Sequence, residues 1–238
     1  MKDNILGFDV LNYDYDEFVN NIVKEIERKE KHFIVNINPF IIMNFYKNEQ
    51  YIELFNQEKY QIPDGNGIVW ASKRNKKLIK SRVTGIDLMD MLCERSVTEK
   101  ISIFLCGSAP KVAEHAKTKL EEKYPGIKIT GVCDGFISPE EMIKQINKSK
   151  AQMIFVALGS PRQEDFILKY KKELRYAKIL MPVGGSLDVI SGNIKRAPKA
   201  FIKMQIEWLY RTVTQPKRIF RNLSLIKFMF LVLFNKKR

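Results

Sequence analysis

Histidine and cysteine are scarce in this 238-residue sequence, which holds two histidines and three cysteines. His32 and His115 stand alone, without H-E-x-x-H or any other paired spacing, so a zinc enzyme is not expected. Cys93, Cys106 and Cys133 are odd in number and far apart, which argues against a disulfide framework and against a metal-binding knuckle. We interpret them as small buried hydrophobic residues in a reducing compartment.

Long apolar runs and familiar nucleotide-binding loops are also missing. No apolar stretch reaches the ~20 residues that a membrane-spanning helix requires, and the N-terminus MKDNILGFDVLNYD lacks the pattern of a signal peptide. The absence of G-x-G-x-x-G, Walker and G-x-S-x-G motifs argues against nicotinamide dehydrogenases, P-loop nucleotidases and serine hydrolases. We therefore expect a protein that stays in the cytoplasm.

Positive charge is concentrated at the C-terminal end. The formal net charge is +14; residues 195–238 hold twelve Lys or Arg and one acid, a net of +11, whereas the rest carries 29 basic and 26 acidic residues, a net of +3. A basic tail suggests nucleic acid or an anionic membrane. Because this tail is dense in Ile, Leu and Phe and lacks a nucleic-acid recognition motif, the membrane is favoured and no nucleic-acid partner is expected.

Strand and helix patterns alternate through the middle of the chain. The sequence predicts strands at 33–38, 101–106, 127–132, 153–158 and 179–183. It predicts helices at 39–46, 85–94, 110–124, 139–148 and 161–174, and a turn-rich loop at 62–67. Strands that alternate with helices at this spacing predict an α/β fold with a mainly parallel sheet covered on both faces.

The tail is predicted to be a helical appendage of residues 195–238 that follows an α/β domain of residues 1–194. Within it, five apolar residues share one helical face: Ile219, Leu223, Ile226, Phe230 and Leu233. An apolar helix flanked by cations suits shallow insertion into an anionic leaflet. The alternative is that it packs on the protein's own core or on a partner subunit. The sequence leaves the oligomeric state open, a homo-oligomer included.

Small polar segments follow three of the predicted strands. They are Gly107-Ser108-Ala109-Pro110, Gly159-Ser160-Pro161-Arg162-Gln163-Glu164 and Gly184-Gly185-Ser186-Leu187-Asp188. Ligands of open α/β sheets bind outside the carboxyl ends of the strands, and amides at helix N-termini bind diphosphates. Tight strand-to-helix turns use glycine in any case, so each segment also has a purely structural interpretation.

Two charged side chains invite a chemical interpretation. Asp64, in PDGNG, either completes a turn or caps a helix, or it approaches a substrate hydroxyl as a general base. Arg82, in RVTG, is either a surface arginine or a bidentate phosphate ligand. No D-x-D triplet lies at the predicted strand ends, so chemistry without a metal or other cofactor is expected.

Seven segments, in order, resemble the WecG/TagA/CpsF glycosyltransferase family. They are PDGNGIVWASK, RVTGIDLMDML, FLCGSAPKVAE, YPGIKITGVCDGFIS, IFVALGSPRQEDFI, VGGSLDVISGNIKRAPK and EWLYRTVTQPKRIFRN, and the match as a whole covers roughly residues 33 to 222. The resemblance implies a Rossmann-like α/β domain with a C-terminal membrane-targeting appendage. It also implies a location on the inner face of the cytoplasmic membrane.

The resemblance implies roles for particular residues. Asp64 matches the proposed catalytic base. Residues implied to bind substrate are Asn36, Asn38, Arg82, Thr84, Gly107, Gln163, Gly184, Gly185 and Asp188. Arg211, Arg218 and Arg221 match basic residues thought to meet the lipid diphosphate. Teichoic-acid members carry threonine where this chain has Asn36, which puts the identity of the sugar in question.

The activity implied is that of an inverting hexosyltransferase. It would move a sugar, N-acetylmannosamine or a related hexose, from a UDP-sugar to an undecaprenyl-diphosphate-linked sugar in teichoic acid, cell-wall, capsule or exopolysaccharide synthesis. Two alternatives remain at this stage. The +14 charge fits a nucleic-acid-binding protein, and the fold alone would fit a non-catalytic component of a polysaccharide assembly complex.

Overall fold

A computed structural model of the chain describes residues 2–76, 79–198, 200–201, 204, 210, 212 and 219–234. Of residues 219–222 it describes the backbone only. Much of the predicted helical appendage of residues 195–238 therefore lies outside the described residues, and so do Arg211 and Arg218.

Six parallel strands form the central sheet, in the order β4-β3-β8-β7-β5-β6, and a short antiparallel hairpin, β1-β2, stands apart from it. The strands are β1 Lys2–Ile5, β2 Phe8–Leu11, β3 His32–Ile37, β4 Tyr60–Pro63, β5 Ser102–Gly107, β6 Lys128–Cys133, β7 Met153–Ala157 and β8 Ile179–Pro182. All residues of β5, β7 and β8 are buried, as expected for parallel strands covered on both faces.

Helices cover both faces of this sheet. They are α1 Tyr15–Glu27, α2 Pro39–Phe45, α3 Glu49–Gln57, α4 Asn66–Arg74, α5 Gly85–Thr98, α6 Val112–Lys123, α7 Pro139–Ser149, α8 Arg162–Tyr170, α9 Ser186–Ile190 and α10 Ile219–Phe234. Apolar residues of α1, α5, α6 and α9 pack on one face. Those of α2, α3, α4, α7, α8 and α10 pack on the other. The predicted α/β architecture is confirmed.

Successive side chains of β3 pack alternately into the two hydrophobic cores, one on each face of the sheet. Ile34 belongs to one core, whereas its neighbours Phe33 and Val35 belong to the other, because successive side chains of a strand point to opposite faces. The adjacent strands β3 and β8 are followed by helices on opposite faces, α2 and α9. This divergence opens a crevice at the carboxyl end of the sheet, where α/β proteins bind their ligands.

The predicted boundaries need three corrections. The loop expected at 62–67 is a two-residue turn, Asp64-Gly65, between β4 and α4, because Ile62 and Pro63 complete the sheet's edge strand. The helix expected at 161–174 ends at Tyr170, and the helix expected at 85–94 continues to Thr98. The hairpin and helices α1, α3 and α4 were not predicted.

Cys106 and Cys133, far apart in sequence, are neighbours in space. They are paired across β5 and β6 with their sulfur atoms 3.4 Å apart, and all three cysteines are free and buried. The contact with the Cys133 sulfur, together with burial, raises the pKa of the Cys106 thiol well above its usual value, so it is an inert core residue.

Helix α10 packs on the protein's own core along one side, as one of the two interpretations expected, and insertion into a membrane remains a prediction. Phe228 and Val232 are buried against the protein's own core, where α10 packs on α2 and α4. Four members of the predicted apolar face are instead exposed on the other side: Leu223, Ile226, Phe230 and Leu233. The side chain of the fifth member, Ile219, lies outside the description. A predominantly apolar helix thus buries one side and leaves apolar residues uncovered on the other.

Candidate active site

A cleft of about 380 Å³ opens at the carboxyl end of the sheet. It lies between the ends of β3, β4 and β8 and the N-termini of α2, α4, α5 and α8. Its lining includes most of the predicted substrate residues: Asn36, Asn38, Asp64, Arg82, Thr84, Gln163, Gly184 and Gly185. Residues more than a hundred positions apart in sequence therefore face one space.

Asp64 lies on the turn between β4 and α4, partly exposed to the cleft. Its backbone N–H donates to the carbonyl oxygens of Ile37 (2.9 Å) and Ile62 (3.0 Å), which fixes the turn to the sheet. The Asn38 side chain orients the carboxylate, since its Nδ2 donates to Asp64 Oδ2 at 3.2 Å. Asn38 is itself held as the N-cap of α2, where Oδ1 accepts from the Ile41 N–H at 2.9 Å.

Arg82 reaches the same cleft from the loop before α5. The next residue, Val83, donates its N–H to the Pro63 carbonyl oxygen at 3.0 Å, which brings this loop beside the Asp64 turn. Thr84 caps α5 by accepting from the Asp87 N–H at 3.2 Å. A guanidinium and the positive end of the α5 dipole therefore line a cleft that also holds Asp64, an arrangement suited to an anionic ligand.

Gln163 connects α8 to the end of β8. Its Oε1 accepts from the Gly184 N–H at 3.1 Å, and its Nε2 donates to Glu164 Oε1 at 2.8 Å. Glu164 also lines the cleft and is only 2% exposed. Burial raises the pKa of this carboxyl. Hydrogen bonding by the Gln163 and Ser160 side chains works in the opposite direction and favours its ionised form.

Asn36 enters the cleft from the end of β3. Its Nδ2 donates to the Pro182 carbonyl oxygen at 2.8 Å, which joins the two strands that border the crevice. Gly85 is matched to this side chain, because a Cβ at that position would lie 2.9 Å from Asn36 Nδ2. Asn36 is thus closely packed and hydrogen-bonded.

Gly107 and Asp188 do not line the cleft. They lie near each other at the loop that follows β5, where the contact is made by Ser108. Gly107 ends β5 at φ 115°, where a Cβ would come within 2.5 Å of the Ala157 backbone, so the position requires glycine. The next residue, Ser108, donates from Oγ to Asp188 Oδ2 at 3.3 Å. Ser108 also accepts the Gly135 N–H at 2.8 Å, which brings the 79%-exposed ring of Phe136 to this loop.

The C-terminal helix supplies part of the cleft wall. Leu225 lines the cleft beside the N-terminus of α4. A Cβ at Gly67 would lie 2.6 Å from Pro39 Cγ, 3.3 Å from Leu225 Cδ1 and 3.6 Å from Phe228 Cε1. This glycine therefore lets α2, α4 and α10 pack closely just behind the Asp64 turn. The predicted lipid-diphosphate residue Arg221 is in the same helix, but its side chain lies outside the description, as do Arg211 and Arg218.

Carboxylates elsewhere in the fold serve structural roles. The Asp14-Tyr15-Asp16 triplet fits a D-x-D pattern, but Asp14 caps α1 by accepting from the Glu17 N–H at 2.8 Å. At the opposite edge of the sheet, Glu25 meets His32 and accepts from Lys59 Nζ at 2.7 Å. Burial alone would raise the pKa of Glu25, but Lys59 and the hydrogen bonds outweigh it and lower the pKa to about 2.

Several cleft residues were not predicted. Phe40, Asn66, Glu164 and Leu225 line the space beside the predicted side chains. The resemblance already included Glu164 within a motif, but only its burial makes it conspicuous. Leu225 carries no local signal at all, because its role depends on how the tail packs.

Comparison with known proteins identifies the family. The chain matches the model of the glycosyl transferase WecG/TagA/CpsF family over residues 3–238. Three similar proteins are named N-acetylglucosaminyldiphosphoundecaprenol N-acetyl-beta-D-mannosaminyltransferase. One from Bacillus spizizenii is 37% identical over 87% of this chain and 81% of its own length. One from Staphylococcus aureus is 36% identical over 100% of this chain and 94% of its own length.

A protein of the same name from Bacillus subtilis is 35% identical over 92% of this chain and 90% of its own length. The similarity therefore extends through the α/β body and α10 alike. The predicted family is confirmed, and the alternative of a nucleic-acid-binding protein is set aside. By its match over nearly the whole chain and by these relatives, the chain belongs to the WecG/TagA/CpsF family of glycosyltransferases.

Proposed function

We propose that this glycosyltransferase moves N-acetylmannosamine from UDP-N-acetylmannosamine to N-acetylglucosaminyldiphosphoundecaprenol at the inner face of the cytoplasmic membrane. The observation that carries the proposal is the cleft in which Asp64, held by Asn38, faces the same space as Arg82 and several helix N-termini. The names of the relatives supply the two sugars and the lipid.

The chemistry is a single displacement. The acceptor hydroxyl oxygen attacks the anomeric carbon of the donor sugar while the bond from that carbon to the UDP oxygen breaks, so the configuration inverts. The hydroxyl proton passes to the Asp64 carboxylate, which acts as general base. Asn38 Nδ2 donates a hydrogen bond of 3.2 Å to Asp64 Oδ2 and so holds the carboxylate in its position at the cleft.

The departing UDP gains negative charge as the bond breaks. Arg82 and the N-terminal amides of α5 and α8 line the cleft and can stabilise that charge through oriented dipoles and hydrogen bonds. We propose that these groups bear the diphosphate without a metal ion, because the strand ends that border the cleft carry no D-x-D triplet.

The loop beside the cleft suits the nucleoside. Phe136 is 79% exposed, although a large aromatic ring gains most from burial. Asp188 lies at the same loop through its contact with Ser108 and offers carboxylate oxygens as acceptors. We propose that the uracil stacks on Phe136, while Asp188 accepts hydrogen bonds from the nucleoside.

Phe136→Ala is expected to weaken UDP binding about tenfold, because stacking of a base on an aromatic ring contributes roughly 1–3 kcal/mol. Isothermal titration calorimetry with UDP measures this effect. Tyr176→Ala, which removes another exposed ring, is the matched control and should leave the affinity unchanged. A dissociation constant for Phe136→Ala within twofold of the wild-type value contradicts the stacking site.

The acceptor is expected to arrive from the membrane. The exposed apolar residues of α10 face away from the body, whereas Leu225 of the same helix lines the cleft. A helix seated in the leaflet by its outer side would therefore hold the cleft next to the lipid headgroups. No helix within the described parts of the chain is long and apolar enough to cross a membrane.

The decisive experiment offers a panel of UDP-sugars to the full-length protein with a short-chain lipid-diphosphate N-acetylglucosamine acceptor. Mass spectrometry then reads the product. We expect transfer of one N-acetylhexosamine from UDP-N-acetylmannosamine to this acceptor. Transfer from a different UDP-sugar would correct the sugar, whereas no transfer from any of them would favour a non-catalytic component of a polysaccharide assembly complex.

A further inference from the structure

A chain of hydrogen bonds runs from the cleft, through the first turn of α5, to the start of the predicted appendage. Arg196 Nη2 donates to Asp87 Oδ1 at 2.5 Å, although 109 positions separate the two residues in sequence. The other carboxylate oxygen, Asp87 Oδ2, accepts from the Thr84 hydroxyl at 2.6 Å. Thr84 lines the cleft together with Arg82, so this chain connects the cleft with the segment that leads into the tail.

The hydroxyl of Thr84 is fully engaged by protein partners. A hydroxyl group offers one donor and two acceptor positions. The single hydrogen goes to the Asp87 carboxylate, which can only accept. Both lone pairs face protein donors, namely the Asp87 N–H at 3.2 Å and the Tyr15 hydroxyl at 3.4 Å. Thr84 is therefore the centre of a network within the protein, at the wall of the cleft.

Tyr15 of α1 fixes the backbone at the same point. Its hydroxyl oxygen accepts the Thr84 N–H at 2.9 Å, and the residue before Thr84, Val83, donates its N–H to the Pro63 carbonyl oxygen. Burial raises the pKa of the Tyr15 hydroxyl above its usual value, and the nearby Arg82 guanidinium is among the groups that oppose this increase. Arg82 therefore extends from a loop that is held at the two residues that follow it.

Arg196 reaches Asp87 from a segment that is itself fixed. Ile194 donates its N–H to the Asp188 carbonyl oxygen at 2.8 Å, which holds the chain beside α9. The side chains of Arg196 and Asp87 are 35% and 34% exposed, and ion pairs at such positions add little to overall stability. The contact therefore serves to orient the Asp87 carboxylate rather than to stabilise the fold.

We propose that Arg196 and Asp87 are positioning residues, which hold through Thr84 the loop that presents Arg82 to the diphosphate. The inference rests on the proposed function, in which Arg82 stabilises the departing UDP. It assigns Thr84 to this network rather than to contact with the substrate. Without the ion pair, the Asp87 carboxylate is free to turn away from Thr84, and binding of the diphosphate then has to order the loop first.

A double-mutant cycle on UDP affinity tests this role, with calorimetry on the full-length protein as the measurement. Arg196→Ala is expected to weaken UDP binding about fivefold, the upper end of what a partly exposed ion pair contributes. Arg82→Ala alone is expected to weaken it at least about tenfold, because a hydrogen bond to a charged group is lost. In the Arg82→Ala background, Arg196→Ala should change the affinity by less than about twofold, since no guanidinium remains to be positioned.

Conservative variants should retain the affinity for UDP. Arg196→Lys keeps a cation that can donate to Asp87, and Thr84→Ser keeps the hydroxyl, so both should bind UDP within about twofold of the wild-type value. Thr84→Val removes the hydroxyl and should weaken binding as Arg196→Ala does, again only where Arg82 is present.

Arg95→Ala is the matched control, because it breaks an ion pair with Glu99 near the other end of the same helix. It should leave the affinity for UDP unchanged. Thermal unfolding of each variant verifies that it is folded.

The outcomes separate the inference from the proposed function. An equal loss of affinity with and without Arg82 would show that Arg196 or Thr84 acts independently of that guanidinium, and would overturn the inference. An Arg196→Ala protein that binds UDP as tightly as the wild-type protein would do the same. In both cases the proposed function stands, provided that the wild-type protein transfers sugar. A wild-type protein that does not bind UDP would overturn the proposed function and the inference together.

Discussion

Asp64→Asn is expected to lower kcat about 10²- to 10⁴-fold, the usual effect of removing a general base. Asparagine has the shape of aspartate and can still accept from Asn38 Nδ2, the contact that spans 3.2 Å in the native protein. It cannot take a proton from the acceptor hydroxyl. Because the turn is also held by backbone hydrogen bonds to Ile37 and Ile62, the variant should fold normally.

Steady-state kinetics with the UDP-sugar donor and a soluble lipid-diphosphate acceptor measure this effect. The affinity for UDP is measured as well, to verify that the cleft still binds the nucleotide. UDP affinity should change little, since the carboxylate acts on the acceptor. Asp90→Asn is the matched control, because it makes the same change at a carboxylate outside the cleft that forms a surface ion pair with Lys123. If kcat of Asp64→Asn stays within about threefold of the wild-type value, a range far below that of a general base, another group is the base.

Replacing two residues of the exposed side of α10, Ile226→Ser with Phe230→Ser, is expected to weaken binding to anionic liposomes about 100-fold. Each apolar side chain that leaves water contributes roughly 1.5–3 kcal/mol, and partial insertion at an interface reduces this gain. Ile226 and Phe230 are 52% and 58% exposed, so the change should leave the core and the cleft intact. Cosedimentation over a series of liposome concentrations measures the partition coefficient.

The control variant is Tyr176→Ser, which removes an exposed ring just before β8, at the edge of the sheet opposite the cleft. It should bind liposomes as the wild-type protein does. Activity on a soluble acceptor should be preserved in the double variant, which separates membrane seating from catalysis. Liposome binding as tight as that of the wild-type protein would show that this side of α10 has another role.

The exposed side of α10 is a more informative target than deletion of the tail. Phe228 is fully buried beside Gly67, and Leu225 lines the cleft. Deleting the helix would therefore uncover apolar core and open the cleft wall at the same time. The separation into a body of residues 1–194 and an appendage of residues 195–238 remains a prediction, and these contacts show that α10 is also part of the body's packing.

Local sequence signals determined the repeated strand–helix units and the side chains at the strand ends. The strands around Phe104, Phe155 and Leu180 are short apolar runs followed by glycine or proline, a pattern typical of parallel strands buried on both faces. The same regularity predicted that Gln163 and Gly184 lie at one edge of the sheet, whereas Asn38 and Asp64 were assigned to the substrate site by the family resemblance. Their convergence in the cleft follows from parallel strands having their carboxyl ends together.

Only the tertiary structure decided how the side chains of the cleft are oriented and which surface the tail packs against. The orientations of Asn36 and Gln163 depend on backbone groups of Pro182 and Gly184, which lie far along the chain or in another element, so no local pattern encodes them. The two sides of α10 are equally apolar in sequence; contact with α2 and α4 buries Phe228 and leaves Phe230 exposed. The periodicity of a helix shows which residues share a face. It does not show which surface that face packs against, because long-range contacts of the whole fold decide that.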